Sequence, residues 1–211
     1  MDPKAISSPR KPAPEAFGAE PAWDVARLFP EQGCWSEEEY LALGANRLVE
    51  FSDGHVEVLP MPTTSHQLIV AFLYRALREF VMARAAGTVL FAPLRVRLWP
   101  GKFREPDLVF LSAEHASRIG ESFWEGADLV MEVVSDDDRR RDLETKRREY
   151  AQAGIPEYWI VDPQEARITV LRLEGATYTV HGDFLRDTQA SSHLLPGFVL
   201  DVSAALAGQP G

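Results

Sequence analysis

The chain contains a single cysteine, Cys34, so it can build neither an internal disulfide nor a cysteine-based zinc site. A reducing, cytoplasmic setting is the expectation. No apolar run approaches the roughly 18 residues a membrane span needs. The N-terminus has no apolar core of the kind a signal peptide requires, so neither an anchor nor a leader is expected. Positive charge is also scarce. Lys and Arg number 22 against 32 Asp and Glu, a net charge of −10 with a pI near 5.0. That balance argues against a protein that coats nucleic acid non-specifically, because counterion release needs a basic face. It leaves open an enzyme with a local basic strip, or one whose carboxylates hold metal ions. No phosphate loop, dinucleotide fingerprint or Gly-x-Ser-x-Gly elbow is present. His55, His115, His181 and His193 show no metal-ligand spacing.

With 45% hydrophobic and 26% charged residues, the 211-residue chain reads as globular rather than disordered. Residues 1–22 carry Pro3, Pro9, Pro12, Pro14 and Pro21 and read as a flexible Pro-rich tail. Order is expected from Trp23, with one domain over residues 23–211. Ser36 and Glu39 have capping-box spacing and open a short helix ending near Gly44. Arg47–Phe51 and His55–Leu59 flank the turn Ser52-Asp53-Gly54, a hairpin signal, and Pro60-Met61-Pro62 then breaks the chain. A long helix is predicted over Thr64–Ala86. Leu68, Ile69, Phe72, Ala76, Phe80 and Val81 form its apolar stripe, and Gly87 its C-cap. Strands are predicted at Thr88–Ala92 leading into Leu94–Leu98, then Asp107–Leu111 and Leu129–Val134. A second helix, Asp142–Ala153, closes at Gly154 and Pro156. Strands come next at Tyr158–Val161 and Arg167–Leu173, with weaker ones at Tyr178–His181 and Phe198–Leu200. The order helix, three strands, helix, strand gives a mixed α/β sheet with an N-terminal hairpin before it and extra C-terminal strands after it.

Glu132 is out of place in this pattern. It sits inside Leu129-Val130-Met131-Glu132-Val133-Val134, a run apolar on both faces, as in a central strand. A carboxylate there costs several kcal/mol unless it is paired, hydrogen-bonded, protonated or bound to a metal. Asp107 follows Pro106 at the mouth of another buried strand, a position that suits proline. If the two strands pair, two hard oxygen ligands converge, a set that fits Mg or Mn; otherwise Asp107 is a strand-start turn residue. After Ser135 the chain runs Asp136-Asp137-Asp138-Arg139-Arg140-Arg141-Asp142. Three arginines at a helix start oppose its dipole, so they are either phosphate contacts or a self-neutralising surface run. Asp142, Lys146 and Tyr150 share a helix face. They form either a surface ion pair or a group aimed back at Glu132. Glu50 and His66 are supporting candidates. Trp159 is expected in the core, with Phe123 and Trp124 as candidates for an interface.

Arg104-Glu105-Pro106-Asp107-Leu108-Val109-Phe110, then Asp128-Leu129-Val130-Met131-Glu132-Val133-Val134-Ser135, then Arg141-Asp142-Leu143-Glu144-Thr145-Lys146 occur in that order. Tyr150-Ala151-Gln152-Ala153-Gly154-Ile155-Pro156-Glu157-Tyr158-Trp159-Ile160-Val161-Asp162-Pro163 completes the series. Together they resemble the Uma-two family of endonucleases, a bacterial branch of the PD-(D/E)xK superfamily, from about Ser36 to Leu200. The resemblance implies a restriction-endonuclease-like αβββαβ core. It maps the Pro-Asp carboxylate onto Asp107 and the second acid onto Glu132, and it assigns the Val133 carbonyl to the metal site. Val134 stands where the superfamily has its lysine, so a lysine moved to the following helix, Lys146, takes that role. The function this implies is an Mg- or Mn-dependent endonuclease on DNA, with a homodimer as the expected assembly and no membrane partner. In that reading Glu50, His66, Ser135, Arg139, Arg140, Arg141, Asp142 and Tyr150 support the site or touch substrate. The other readings are a silent interaction module on the same fold, or a hydrolase of another phosphoester such as RNA.

Overall fold

Side chains on a strand alternate between its two faces, and in this chain both faces of the central strands are apolar. The sheet they form is therefore covered on both sides. The computed structural model describes residues 29–44, 48–135 and 139–208; the expected tail, the start at Trp23, Arg47 and residues 136–138 lie outside them. Its elements run α1 (Glu37–Leu41), β1 (Val49–Ser52), β2 (His55–Val58), α2 (Thr64–Ala83), β3 (Gly87–Phe91), β4 (Val96–Trp99), β5 (Lys102–Arg104) and β6 (Leu108–Ser112). A 3₁₀ turn (Ala113–Arg118), β7 (Trp124–Glu125) and β8 (Leu129–Val133) come next. A π-helical stretch (Arg141–Lys146) then runs straight into α3 (Arg147–Gln152). Beyond it lie β9 (Glu157–Asp162), β10 (Arg167–Glu174), β11 (Thr177–Leu185), β12 (Gln189–Ser191), β13 (Val199–Asp201) and α4 (Val202–Ala207).

The main sheet has the order β11-β10-β9-β8-β6-β3, with β8 and β9 parallel and the other neighbours antiparallel. A second sheet, β2-β1-β5-β4-β7, carries the hairpin. On one face of the main sheet Leu108, Phe110, Leu129, Met131, Val133, Trp159 and Val161 pack under α2 and α4. On the other, Val109, Leu111, Val130, Val134, Tyr158 and Ile160 pack with Tyr150 and Ala151 of α3. The long helix, three strands, second helix and parallel strand make the expected mixed α/β core, with the N-terminal hairpin and extra C-terminal strands in place.

Two local expectations are met in detail. Ser36 and Glu39 form a reciprocal capping box, the Glu39 N–H donating to Ser36 Oγ at 3.2 Å and the Ser36 N–H to Glu39 Oε2 at 2.8 Å. Asp53 and Gly54 both take positive φ, 48° and 82°, which is what a two-residue hairpin turn with the strands' own twist needs.

Other expectations are corrected. The long helix stops at Ala83, and Ala85, not Gly87, takes the left-handed conformation after it. Gly87 opens β3, where a Cβ would lie 2.1 Å from the Leu111 carbonyl oxygen; close strand approach is what requires glycine there. The buried stripe of α2 is Ile69, Val70, Leu73, Leu77 and Val81. Phe72, Ala76 and Phe80 flank it, and Leu68 is 46% exposed, because the helix face is centred between the sheet and α4. The predicted Thr88–Leu98 pair does not stay in one sheet: the chain turns at Ala92-Pro93 and β4 joins the second sheet. Lys102–Arg104 is a buried strand that charge had concealed. Trp124 is 1% exposed and packs in the core with Val96 and Val130, so it is no interface residue; Phe123 packs edge-on against Phe103. Trp159 is in the core, as expected.

Candidate active site

The register of the two central strands makes the site. β6 and β8 run antiparallel with Leu108 opposite Met131 and Val109 opposite Val130. Continuing that register by one step sets Asp107 across from Glu132. Residues directly opposite in an antiparallel pair share a face, and alternation puts both on the face of Val109, Val130 and Val134, under the helix that carries Lys146 and Tyr150. Both carboxylates line one cavity of about 600 Å³, together with His66, Val133, Ser135, Arg141, Asp142 and Lys146.

The helical side completes it. Lys146 Nζ is buried and lies 2.8 Å from Glu132 Oε2 and 3.0 Å from Asp142 Oδ1. The buried Tyr150 hydroxyl donates to the other oxygen, Glu132 Oε1. The spacing of Asp142, Lys146 and Tyr150 thus aims inward, and the surface-pair alternative is excluded by burial. Asp142 and Lys146 both belong to the π-helical stretch, a geometry often found where a helix serves a site. From the strand side, the Val133 N–H donates to Asp107 Oδ2 at 2.8 Å, and His66 Nε2 is 3.2 Å from the same oxygen. His66 is placed by the start of α2, where Thr63 caps its N–H. Burial alone would lower the His66 pKa, but the hydrogen bond and charge of Asp107, with Glu132 beyond, hold it above its ordinary value.

Glu50 sits behind the cavity, fully buried on β1. It accepts from Arg104 and Arg141, and from the Glu105 N–H at 3.2 Å. Burial would raise its pKa, yet Lys146, Arg104 and Arg141 together pull it down to about 2. Arg104 also holds Glu149 of α3 in a fork at 2.8 and 2.9 Å, and Lys102 Nζ reaches Glu149 at 2.6 Å. This buried network ties the second sheet to the site helix. Arg104, Lys102 and Glu149 are the residues that sequence reasoning passed over. Alternating charge in the short Lys102-Phe103-Arg104 segment was the available signal. Glu105, beside the Pro-Asp pair, also lines the cavity. Its carboxyl is pushed up to about 7 by burial and by Glu50, against the Val49 N–H and Arg95.

The arginine run is split by the structure. Arg141 lines the cavity and pairs with Glu50 and Glu57. Arg139 forks onto Asp162 at 2.9 and 2.6 Å, and Arg140 makes an exposed i,i+4 pair with Glu144 at 3.0 Å; neither lines the cavity. Ser135 lines the cavity mouth, and residues 136–138 lie outside the described residues.

Carboxylates outnumber cations here. Glu105, Asp107, Glu132 and Asp142 face the cavity against Lys146, His66 and the already paired Arg141. Burial, with Asp107 and Asp142 close by, raises the Glu132 carboxyl well above the carboxylate range even though Lys146 opposes the shift. Burial also raises Asp142, again against Lys146. The donor set, carboxylate oxygens crowded into one cavity, fits a hard divalent cation. Among the described residues no cluster of three His, Cys, Asp or Glu side chains is arranged to hold a metal. Two carboxylates suffice for Mg, which takes one or two and keeps its remaining ligands as water. No helix among the described residues is long and apolar enough to cross a membrane.

Comparison with known proteins bears on the family and the fold. The model of the family Uma2, described as "Putative restriction endonuclease", matches residues 37–203. No curated protein matches. Among solved structures, a "putative nuclease belonging to DUF820" from Anabaena variabilis ATCC 29413 superposes with a TM-score of 0.68. It shares 18% identity, over 82% of this chain and 98% of that one. At that identity the likeness is one of fold.

Proposed function

The chain belongs to the Uma2 restriction-endonuclease family, and from that premise we propose that it is a metal-dependent endonuclease hydrolysing phosphodiester bonds of DNA. The observation that carries the reading is the convergence of Asp107, Glu132 and Lys146 in one cavity, with Lys146 Nζ 2.8 Å from Glu132 and the two carboxylates opposite each other across the central strands. Asp107 and Glu132 would hold Mg or Mn, with the Val133 carbonyl as a further oxygen. Such an ion, when bound, makes water more acidic and offsets charge building on the phosphoryl oxygens.

The chain's own residues do the positioning. Tyr150 fixes one Glu132 oxygen, while Val133 N–H and His66 fix one oxygen of Asp107, so both carboxylates are oriented before substrate arrives. Lys146 is held by Glu132 and Asp142 and stays charged, because its two carboxylate partners outweigh burial. Its compact ammonium orients the attacking water or a phosphoryl oxygen. A homodimer in the cytoplasm belongs to the same proposal; light scattering on the purified protein tests the assembly.

The test is incubation with single-stranded DNA, duplex DNA and RNA in Mg, Mn or EDTA, with Lys146→Ala alongside. The expected result is cleavage that EDTA abolishes and Lys146→Ala lowers by about a hundredfold. Full activity in Lys146→Ala would remove the lysine from the mechanism. Cleavage of RNA alone would make the chain a different phosphoesterase. No cleavage together with no calorimetric Mg or Mn binding would make it an interaction module on a nuclease fold.

A further inference from the structure

Resting on that reading of the cavity, we propose that its apolar side is a base-binding subsite, so that the substrate is single-stranded or locally unpaired nucleic acid rather than intact duplex. At about 600 Å³ the cavity is sized for one nucleotide-like ligand. Besides the carboxylates and Lys146, its lining includes Leu59, Pro60, Met61, Pro62 and Leu206, from the loop before α2 and from α4. Pro60 and Pro62 fix the backbone on either side of Met61 and offer no N–H, which stiffens the lip. Met61 lines the cavity yet is 68% exposed. A stacked duplex presents phosphate and sugar to such a lip and keeps its base faces hidden. An apolar lip on the cavity that holds Asp107 and Glu132 is matched best by the face of a base that has left the stack. A thioether suits that contact, since sulfur packs well on aromatic rings.

Charge points the same way. Duplex affinity grows with the number of phosphates neutralised. Yet at the start of the site helix Arg139 and Arg141 are held by Asp162, Glu50 and Glu57, while Arg140 is exposed and only loosely paired with Glu144. The site holds one reacting phosphate and an apolar neighbour better than it holds a length of duplex backbone.

The experiment measures fluorescence anisotropy of a labelled mixed-sequence single strand, its duplex, and the same strand with one abasic position at the cleavage point. Calcium serves as the hard cation, and natural protein is set against Met61→Ser and Met61→Leu. Cleavage of the same strands in Mg is read in parallel. We expect the single strand to bind tighter than the duplex, and the abasic strand about tenfold weaker than the complete one. Met61→Ser should lose about the same factor on the complete strand and little on the abasic strand, with Met61→Leu restoring binding. Equal binding of duplex and single strand, or an equal Met61→Ser loss with and without the base, overturns the subsite. Metal-dependent cleavage seen alongside that result leaves the nuclease reading standing. Absence of both binding and cleavage removes both.

Discussion

The two ends of the central strands carry the same kind of residue in opposite circumstances. At one end Asp128 and Glu157 enter β8 and β9; at the other Asp107 and Glu132 face each other across β6 and β8. All four are buried or nearly so. Glu157 is surrounded by fixed neutral donors: Ser192 Oγ and Trp159 Nε1 at 2.6 Å, the His193 N–H at 2.7 Å and the Leu194 N–H at 2.8 Å. Asp128 accepts the Ser112 N–H at 2.7 Å and meets His115 at 2.7 Å. Those contacts pull its carboxyl below the ordinary range despite burial. Glu132 is driven up by burial and, against the pull of Lys146, by Asp107 and Asp142, with which it shares its surroundings. A buried carboxylate is therefore not in itself the mark of a site. The mark is a carboxylate whose partners are other charges, crowded around a cavity.

One chemical change made at both ends separates them most sharply. Glu132→Gln should lower metal-dependent cleavage by about a hundredfold or more. It should unfold in urea no earlier than the natural protein, because an amide can keep an oxygen on Lys146 and a contact to Tyr150 while shedding a charge the site resists. Glu157→Gln should do the reverse. Its amide turns a donor toward the His193 or Leu194 N–H or the Ser192 and Trp159 donors, leaving buried groups unpaired at a cost of about 2–4 kcal/mol. Cleavage per folded molecule should not change. A Glu157→Gln protein that is stable but inactive would join the two ends into one functional unit.

The sequence shows where a buried acid lies but not how well it is satisfied. Glu132 was legible because it interrupts an apolar run, and Asp107 because Pro106 marks a strand mouth. Their pairing stayed conditional on the two strands being neighbours, which the β6–β8 register establishes. The capping box and the Asp53-Gly54 hairpin were legible for the same reason, being decided within a few residues. Glu157 was not legible, because its donors come from residues 192–194 through a turn no local pattern announces. The fates of Arg139, Arg140 and Arg141 were equally hidden. Glu50 and Glu57 lie about ninety residues upstream of Arg141 in the chain, and only the fold brings them together. Gly87 misled for a related reason: a glycine after a helix signals a cap locally, whereas the nearby Leu111 carbonyl is a long-range fact.

The smallest expected effect tests the quiet end through pH. Asp128 has a carboxyl whose native pKa lies below its ordinary 3.8. A carboxyl lowered on folding contributes stability that is fully present above the ordinary value and is lost as pH falls through the native one. Asp128→Asn keeps one acceptor and surrenders the other, so it should cost about 1–2 kcal/mol at neutral pH. Urea midpoints of the two proteins should converge as pH drops below 3.8, where the natural side chain also becomes neutral. Cleavage at neutral pH should be unaffected. A cost that persists undiminished into acid would mean that Asp128 works by shape and hydrogen bonding rather than by charge. The two ends of the strand pair would then differ less in electrostatics than their geometry implies.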